Sequence, residues 1–254
     1  CTSIGSQSRD NAPTRPVVDA GTTLGALDLN GPGGATPAAF GTGVAPMVIA
    51  VGAHDTASAV AATPLSGEGA AYISCGTWGL VGIETAPPAL SDGAHRGGFT
   101  NEWGVDGRVL LQRNSMGTFI LTESLRTWRE AGHTAELTAL LAQAADVPAG
   151  HPVFDVNDPR FSPPGDMPGR ITTWYRERDL PVPSSPAQMC RAIVDSLAHA
   201  FAQAAHAAAE LAGTPLRTIH VVGGGSQNAL LCRLLAQRAG VAVEAGPGEA
   251  TALG

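Results

Sequence analysis

Thr218-Ile219-His220-Val221-Val222-Gly223-Gly224-Gly225-Ser226-Gln227-Asn228 is the stretch from which the rest of this chain can be read. A β-branched apolar run enters three consecutive glycines, and Ala229 to Ala239 leaves them with helical composition. Gly240 closes that helix, and Val241-Ala242-Val243-Glu244 reads as the next strand. Strand, glycine turn, helix, strand predicts a βαβ unit whose loop turns backbone amides toward a helix N-terminus. Such a loop can carry phosphates or a nucleotide, because amide donors and the helix dipole favour anions and glycine permits close approach. Two other readings stand beside it. A tight turn needs glycine for its backbone angles alone. A dinucleotide fold would use Glu244 as its ribose-binding acid, but wants a glycine where this chain has Asn228.

Composition narrows the classes. With 254 residues, 44% hydrophobic and 15% charged, the chain can bury a substantial core in one large domain or two small ones. The formal charge of −7 argues against nucleic acid as a partner. No apolar run is long enough to span a membrane as a helix, and no signal-peptide pattern is read in the opening residues. All 15 basic residues are arginine, which rules out a Walker-type lysine or a Schiff base within this stretch. Cys1, Cys75, Cys190 and Cys232 are scattered, as expected of reduced structural thiols in a cytoplasmic protein. A chain opening on Cys1 is expected to begin inside a longer protein.

Residues 1–45 lack apolar periodicity. The opening decapeptide reads as disordered and Gly31-Pro32-Gly33-Gly34 as a turn, so the segment is expected to be a linker and the remnant of an upstream domain. Residues 46–254 form the main domain. Met47-Val48-Ile49-Ala50-Val51-Gly52 reads as a buried strand delivering Ala53-His54-Asp55-Thr56, with a short helix running up to Pro64. Asp55 at that junction is either an N-cap or a carboxylate placed for general-base chemistry.

Ala70–Cys75 and Leu80–Glu84 around Gly76-Thr77-Trp78-Gly79 predict one hairpin, and Phe99–Trp103 and Val109–Arg113 around Asp106-Gly107 a second. Helical spacing follows from Met116 to Arg129 and again after Thr134, which is expected to cap its helix. Phe154, Phe161, Trp174 and Tyr175 lie in a proline-rich excursion and read as packing anchors. Ser185-Pro186-Ala187-Gln188 is a capping box opening a long alanine-rich helix. His199 and His206 share a face of it without a third ligand, so no metal site is predicted. The whole order matches a five-stranded mixed sheet with helices on its faces.

Ala53–Val60, Cys75-Gly76-Thr77-Trp78, Arg160-Phe161 with Pro164–Pro168, Gly223–Asn228 and Ala245–Gly254 together resemble the FGGY carbohydrate kinases, most of all the branch acting on L-rhamnulose. The resemblance covers residues 16–254. It implies an actin-like, Hsp70-like ATPase fold (ribonuclease H-like, α/β) with ATP and Mg²⁺ as cofactors and a ketose as substrate. It implies Asp55 as general base, His54, Asp55 and Thr56 as sugar-binding residues, and Gly76, Thr77, Asn114 and Gly223, Gly224 and Gly225 along the nucleotide. Gln227 and Asn228 are assigned to the adenosine side, with helix capping as the alternative. A glutamine that the resemblance leads one to expect after Asn114 is Thr122 here. It further implies an N-terminal domain bearing the opposing phosphate loop and most sugar contacts, and a final helix beyond Gly254. Other FGGY substrates (fuculose, xylulose, glycerol) and a non-catalytic actin-like module are the alternatives.

Overall fold

The computed structural model describes residues 18–26, 46–52, 54–65, 67–134 and 136–253, in two compact units, Cys1–Val51 and Gly52–Gly254. The readings made for Cys1, the opening decapeptide, the Gly31–Gly34 turn and Ala53 fall outside the described residues. In the first unit, β1 (Thr23–Ala26) pairs antiparallel with β2 (Met47–Ile49), Thr23 opposite Ile49. Met47 and Ile49 are each 54% exposed, so the expected buried strand is a short exposed one. A two-stranded ribbon has no interior, and composition cannot tell an edge strand from a central one.

The second unit is built on a sheet of six strands, one more than expected, in the order β5-β6-β4-β3-β7-β8. β3 (Ala70–Cys75) and β4 (Trp78–Thr85) form the first hairpin. β5 (Thr100–Trp103) and β6 (Val109–Met116) form the second, as read, with β5 on the edge of β6, so the two hairpins with the parallel pair make six. Asp106 (φ 54°) and Gly107 (φ 68°) both take left-handed backbone in that turn, matching the twist of the strands they join. β7 (Thr218–Val222) lies parallel to β3, with Ser74 opposite Val222, and β8 (Ala242–Ala245) lies parallel to β7. The antiparallel half thus precedes the parallel βαβ half, in the order read from sequence.

Alternation divides the sheet into two faces. Ala71, Ile73, Cys75 and Val81 face the core cluster that includes α6 (Pro186–Leu211). Tyr72 and Leu110 pack with Ala57 and Val60 of α1 (Asp55–Ala61) on the other. Ser185 caps α6 as read, its Oγ accepting from Gln188 N at 3.2 Å, while Gln188 Oε1 reaches back one residue further and accepts from Ser184 N at 2.8 Å. Beneath the first hairpin a Cβ on Gly79 would stand 2.6 Å from Phe201 Cε1, so glycine lets the sheet close onto α6.

After a five-residue α2 (Asp92–Arg96), the helices α3 (Phe119–Glu130), α4 (Leu137–Asp146) and α5 (Met167–Arg176) follow. α3 starts three residues later than its apolar spacing suggests, because Met116 still pairs with Trp78 in the β4–β6 ladder. Thr134 does not cap α4; the residue ahead of that helix is Glu136, and it makes no side-chain cap bond. The anchors behave as read: Phe154 lies 5.0 Å from Phe161 and 5.9 Å from Trp174 between ring centroids, and Phe161 and Tyr175 are fully buried. The last helices are α7 (Ala229–Ala239), ended by Gly240 at φ 69°, and α8 (Ala250–Leu253).

Candidate functional site

The three glycines do three different things. Gly223 takes φ 76°, and a Cβ there would stand 3.0 Å from Cys75 O. Gly225 is pressed onto the Cys75 side chain, with no space for a methyl group. A Cβ built on Gly224 meets nothing within 4 Å among the described residues, so its side is open to a ligand. Ser226 Oγ donates to Gly223 O at 2.7 Å and tightens the loop. Asn228 Oδ1 accepts from Leu231 N at 3.1 Å and caps α7, so helix capping is one role of that residue.

Parallel pairing of β3 with β7 puts the Gly76-Thr77 turn beside this loop. The turn is locked onto the start of α3. Gly76 O accepts from Thr118 N at 2.8 Å and from Thr118 Oγ1 at 2.9 Å, and Thr77 O accepts from Gly117 N at 3.2 Å. A Cβ on Gly117 would come within 2.5 Å of Gly76 O. The Thr77 side chain remains exposed.

Between α3, α4 and α7 opens a cavity of about 650 Å³. Thr118, Leu121 and Thr122 line it from α3 and its entry, Leu137, Thr138 and Leu141 from α4, and Leu230 and Arg233 from α7. Gly224, Gly225, Gln227 and Asn228 form its rim, so four of the predicted loop residues converge on one cavity. The α3, α4 and α7 residues, Thr122 apart, were not singled out from sequence. The only trace there is that α4 carries two leucine rows: Leu140 and Ala144 are buried, while Leu137, 40% exposed, and Leu141 face the cavity.

Behind the cavity, Arg191 Nε donates to Asp195 Oδ2 at 2.7 Å, and Arg238 Nη2 donates to Asp195 Oδ1 at 3.1 Å. Arg191 Nη1 also reaches Val147 O, at the end of α4, at 2.6 Å. One carboxylate on α6 therefore ties α4 to α7.

Asp55 opens α1 but does not cap it. The cap is His54, whose Nδ1 accepts from Ala57 N at 3.3 Å. Asp55 Oδ1 accepts from Thr56 N at 2.7 Å and the side chain is exposed, which leaves Oδ2 without a protein donor among the described residues. One turn along α1, Ala59 packs with Val222, the last residue before the glycine loop, and with Ala250. Asn114 stands apart from the cavity. It is exposed, opposite Leu80 in the β4–β6 ladder, and shares its side of β6 with Leu110 and Gln112, the side α1 covers.

The Cys75 thiol beneath the loop is held protonated, because burial pushes it up to about 12. His206 Nε2 lies 3.0 Å from Ala239 O, and burial, with Arg238 nearby, lowers the pKa of His199. Among the described residues no group of three or more His, Cys, Asp or Glu could hold a metal ion, and no helix is long and apolar enough to cross a membrane.

A glycine loop, a Gly-Thr hairpin and an apolar cavity meet on a mixed α/β sheet of the kind found in the actin-like ATPase fold. Residues 71–254 match the model of the FGGY family of carbohydrate kinases, C-terminal domain, and the chain belongs to that family. It is 44% identical over 207 residues to the rhamnulokinase of Klebsiella pneumoniae (strain 342), covering 82% of this chain and 42% of that protein. It is 43% identical over the same length to the rhamnulokinase of Enterobacter sp. (strain 638). The chain thus spans less than half the length of these relatives. Among solved structures it superposes on a xylulose kinase from Rhodospirillum rubrum with a TM-score of 0.64 at 17% identity, over 92% of this chain and 46% of that one. A carbohydrate kinase from Novosphingobium aromaticivorans gives 0.56 at 21%, over 94% and 49%. These likenesses bear out the expected fold.

Proposed function

We propose that this chain forms the nucleotide-binding part of an ATP-dependent kinase that converts L-rhamnulose to L-rhamnulose 1-phosphate. The observation that carries the reading is the open side of Gly224 at the rim of a cavity large enough for a nucleoside. The likeness to two rhamnulokinases supports the choice of sugar. In this reading adenosine enters the cavity between α4 and α7, and the phosphates run past Gly223–Gly225 toward Gly76 and Thr77. Gln227 and Asn228 meet the nucleoside at the rim. Mg²⁺ comes with the nucleotide phosphates, whose charge it neutralises.

Asp55 is the general base. Its Oδ2 takes the proton of the ketose primary hydroxyl as that oxygen attacks the γ-phosphorus. The new O–P bond forms as the bond from the γ-phosphorus to the β,γ-bridging oxygen breaks, and ADP leaves. His54 and Thr56 flank the base on the sugar side. Asn114, on the α1 side of the sheet, is assigned with them rather than with the adenosine. An N-terminal domain outside this chain supplies the opposing phosphate loop and the rest of the sugar pocket, since in-line transfer needs the γ-phosphate held from both walls. The protein is cytoplasmic in this reading.

The test is ADP release by the full-length protein with Mg²⁺-ATP and a panel of ketoses and polyols. L-rhamnulose should give the highest kcat/KM. A tenfold preference for xylulose, fuculose or glycerol, about 1.4 kcal/mol in transition-state binding, overturns the sugar assignment. Full turnover by Asp55→Asn overturns the role of the base, and ATP binding without ADP release on any sugar of the panel leaves a nucleotide-binding module.

A further inference from the structure

We infer that Glu102 is a positioning residue for Asp55, acting through the ring of His54; the inference rests on the reading of Asp55 as the base. The two segments are far apart in sequence. His54 precedes α1, while Glu102 sits on the edge strand β5, opposite Leu110 of β6. Glu102 Oε2 lies 3.2 Å from His54 Nε2.

The other ring nitrogen sets the tautomer. His54 Nδ1 accepts the Ala57 amide proton as the cap of α1, so it must carry a lone pair. In the neutral ring the proton then belongs to Nε2. Nε2 is closed off from solvent, and among the described residues no partner meets it with good hydrogen-bond geometry. The acceptor facing it is Glu102. Distance and angle disagree here, and the distance decides: a carboxylate at 3.2 Å favours a ring N–H even off line, whereas a bare lone pair would be repelled.

Glu102 is itself oriented. Its Oε1 accepts from Thr100 Oγ1 at 3.3 Å, which leaves Oε2 for the imidazole. Its field also reaches the sheet face under α1, where it adds to the upward shift that burial imposes on Tyr72.

The consequence falls on Asp55. The flipped tautomer would set Nδ1–H against the Ala57 N–H, donor against donor, and open the first turn of α1. That turn carries the Asp55 carboxylate, whose Oδ1 is anchored on Thr56 N. Glu102 thus keeps the helix start, and with it the free Oδ2, in one place. General-base transfer is sensitive to such placement.

The experiment uses the full-length protein, with Glu102→Ala and Glu102→Gln. Glu102→Ala should lower kcat with L-rhamnulose by about ten- to a hundredfold while the ATP KM stays unchanged. Glu102→Gln, which keeps an acceptor oxygen, should recover most of that loss. In ¹⁵N-histidine spectra His54 should be the Nε2–H tautomer in wild type and a mixture in Glu102→Ala. Unchanged kcat or an unchanged tautomer in Glu102→Ala overturns the inference, as does an equal rise in the KM of ATP and sugar, which marks a merely structural role. An active Asp55→Asn overturns the base assignment instead; an inactive Asp55→Asn beside a silent Glu102→Ala removes only Glu102.

Discussion

Gly225 lies against Cys75 so closely that a Cβ built on it would fall within 2.5 Å of both the Sγ and the Cβ of that cysteine. A Cβ on its neighbour Gly224 would meet nothing within 4 Å among the described residues. The same substitution should therefore give opposite results at adjacent positions. Gly225→Ala must lift the loop off β3 and should cost about 1–3 kcal/mol, the usual range for overpacking. Gly224→Ala should leave stability unchanged and weaken ATP binding alone. Thermal unfolding and ATP titration of both variants check this; a stable Gly225→Ala with normal ATP affinity would show that the loop is not held by Cys75.

The local chemistry of this loop was legible because glycine, capping and turn signals act over a few residues. Gly240, the Ser185 capping box and Asp106-Gly107 were readable for the same reason. What escaped depended on distant chain. Whether Thr100–Trp103 joins the main sheet is settled by β6, and whether Met47–Ile49 is buried by its partner strand. The cavity is assembled from α3, α4 and α7, more than a hundred residues apart at the extremes, so no window of sequence contains it. His54 displaced Asp55 as the cap because the chain enters α1 one residue earlier than the usual Asp signal suggests.

Asp195 is the second point of leverage. Removing it strands Arg191, which is buried, and deprives Arg238 of its partner. Asp195→Ala should destabilise the domain by about 3–5 kcal/mol, the cost of an uncompensated buried charge. The paired variant Arg191→Met with Asp195→Leu should be much less costly, since it buries no lone ion. Urea unfolding of the two variants distinguishes them. Because this carboxylate ties α4 to α7, Asp195→Ala should also raise the ATP Kd; normal affinity would detach the network from the cavity.

Alkaline pH should erode the fold in a defined window. Burial pushes the thiols of Cys75 and Cys190 from 9.0 up to about 12, and the phenol of Tyr175 from 10.0 to about 12. Each folded value lies above its unfolded one, so between them the unfolded chain binds fewer protons. Stability is then fully present below pH 9 and falls as pH rises toward about 12. Cys190→Ala should flatten that slope relative to its own value at pH 8. Unfolding midpoints measured from pH 7 to 11 that show no decline above pH 9 would contradict the burial of these groups.

Cys75 also offers a direct view of the glycine loop. Burial pushes its thiol up to about 12, so little of it is thiolate at pH 8, and Gly225 covers the sulfur as well. Alkylation at Cys75 must therefore wait for the loop to lift. Cys190 lies fully buried within α6 and should become reactive only on wider unfolding, so without nucleotide Cys75 should label faster. A ligand seated against Gly224 binds only the closed loop and suppresses the opening. At ATP concentrations near a hundred times Kd, labelling of Cys75 should slow by about a hundredfold, toward the rate of Cys190. Mass spectrometry of the full-length protein, alkylated with and without Mg²⁺-ATP, resolves the two sites. If ATP leaves the Cys75 rate untouched while binding is saturated, the nucleotide does not sit on this loop, and the path drawn for its phosphates past Gly223–Gly225 is wrong.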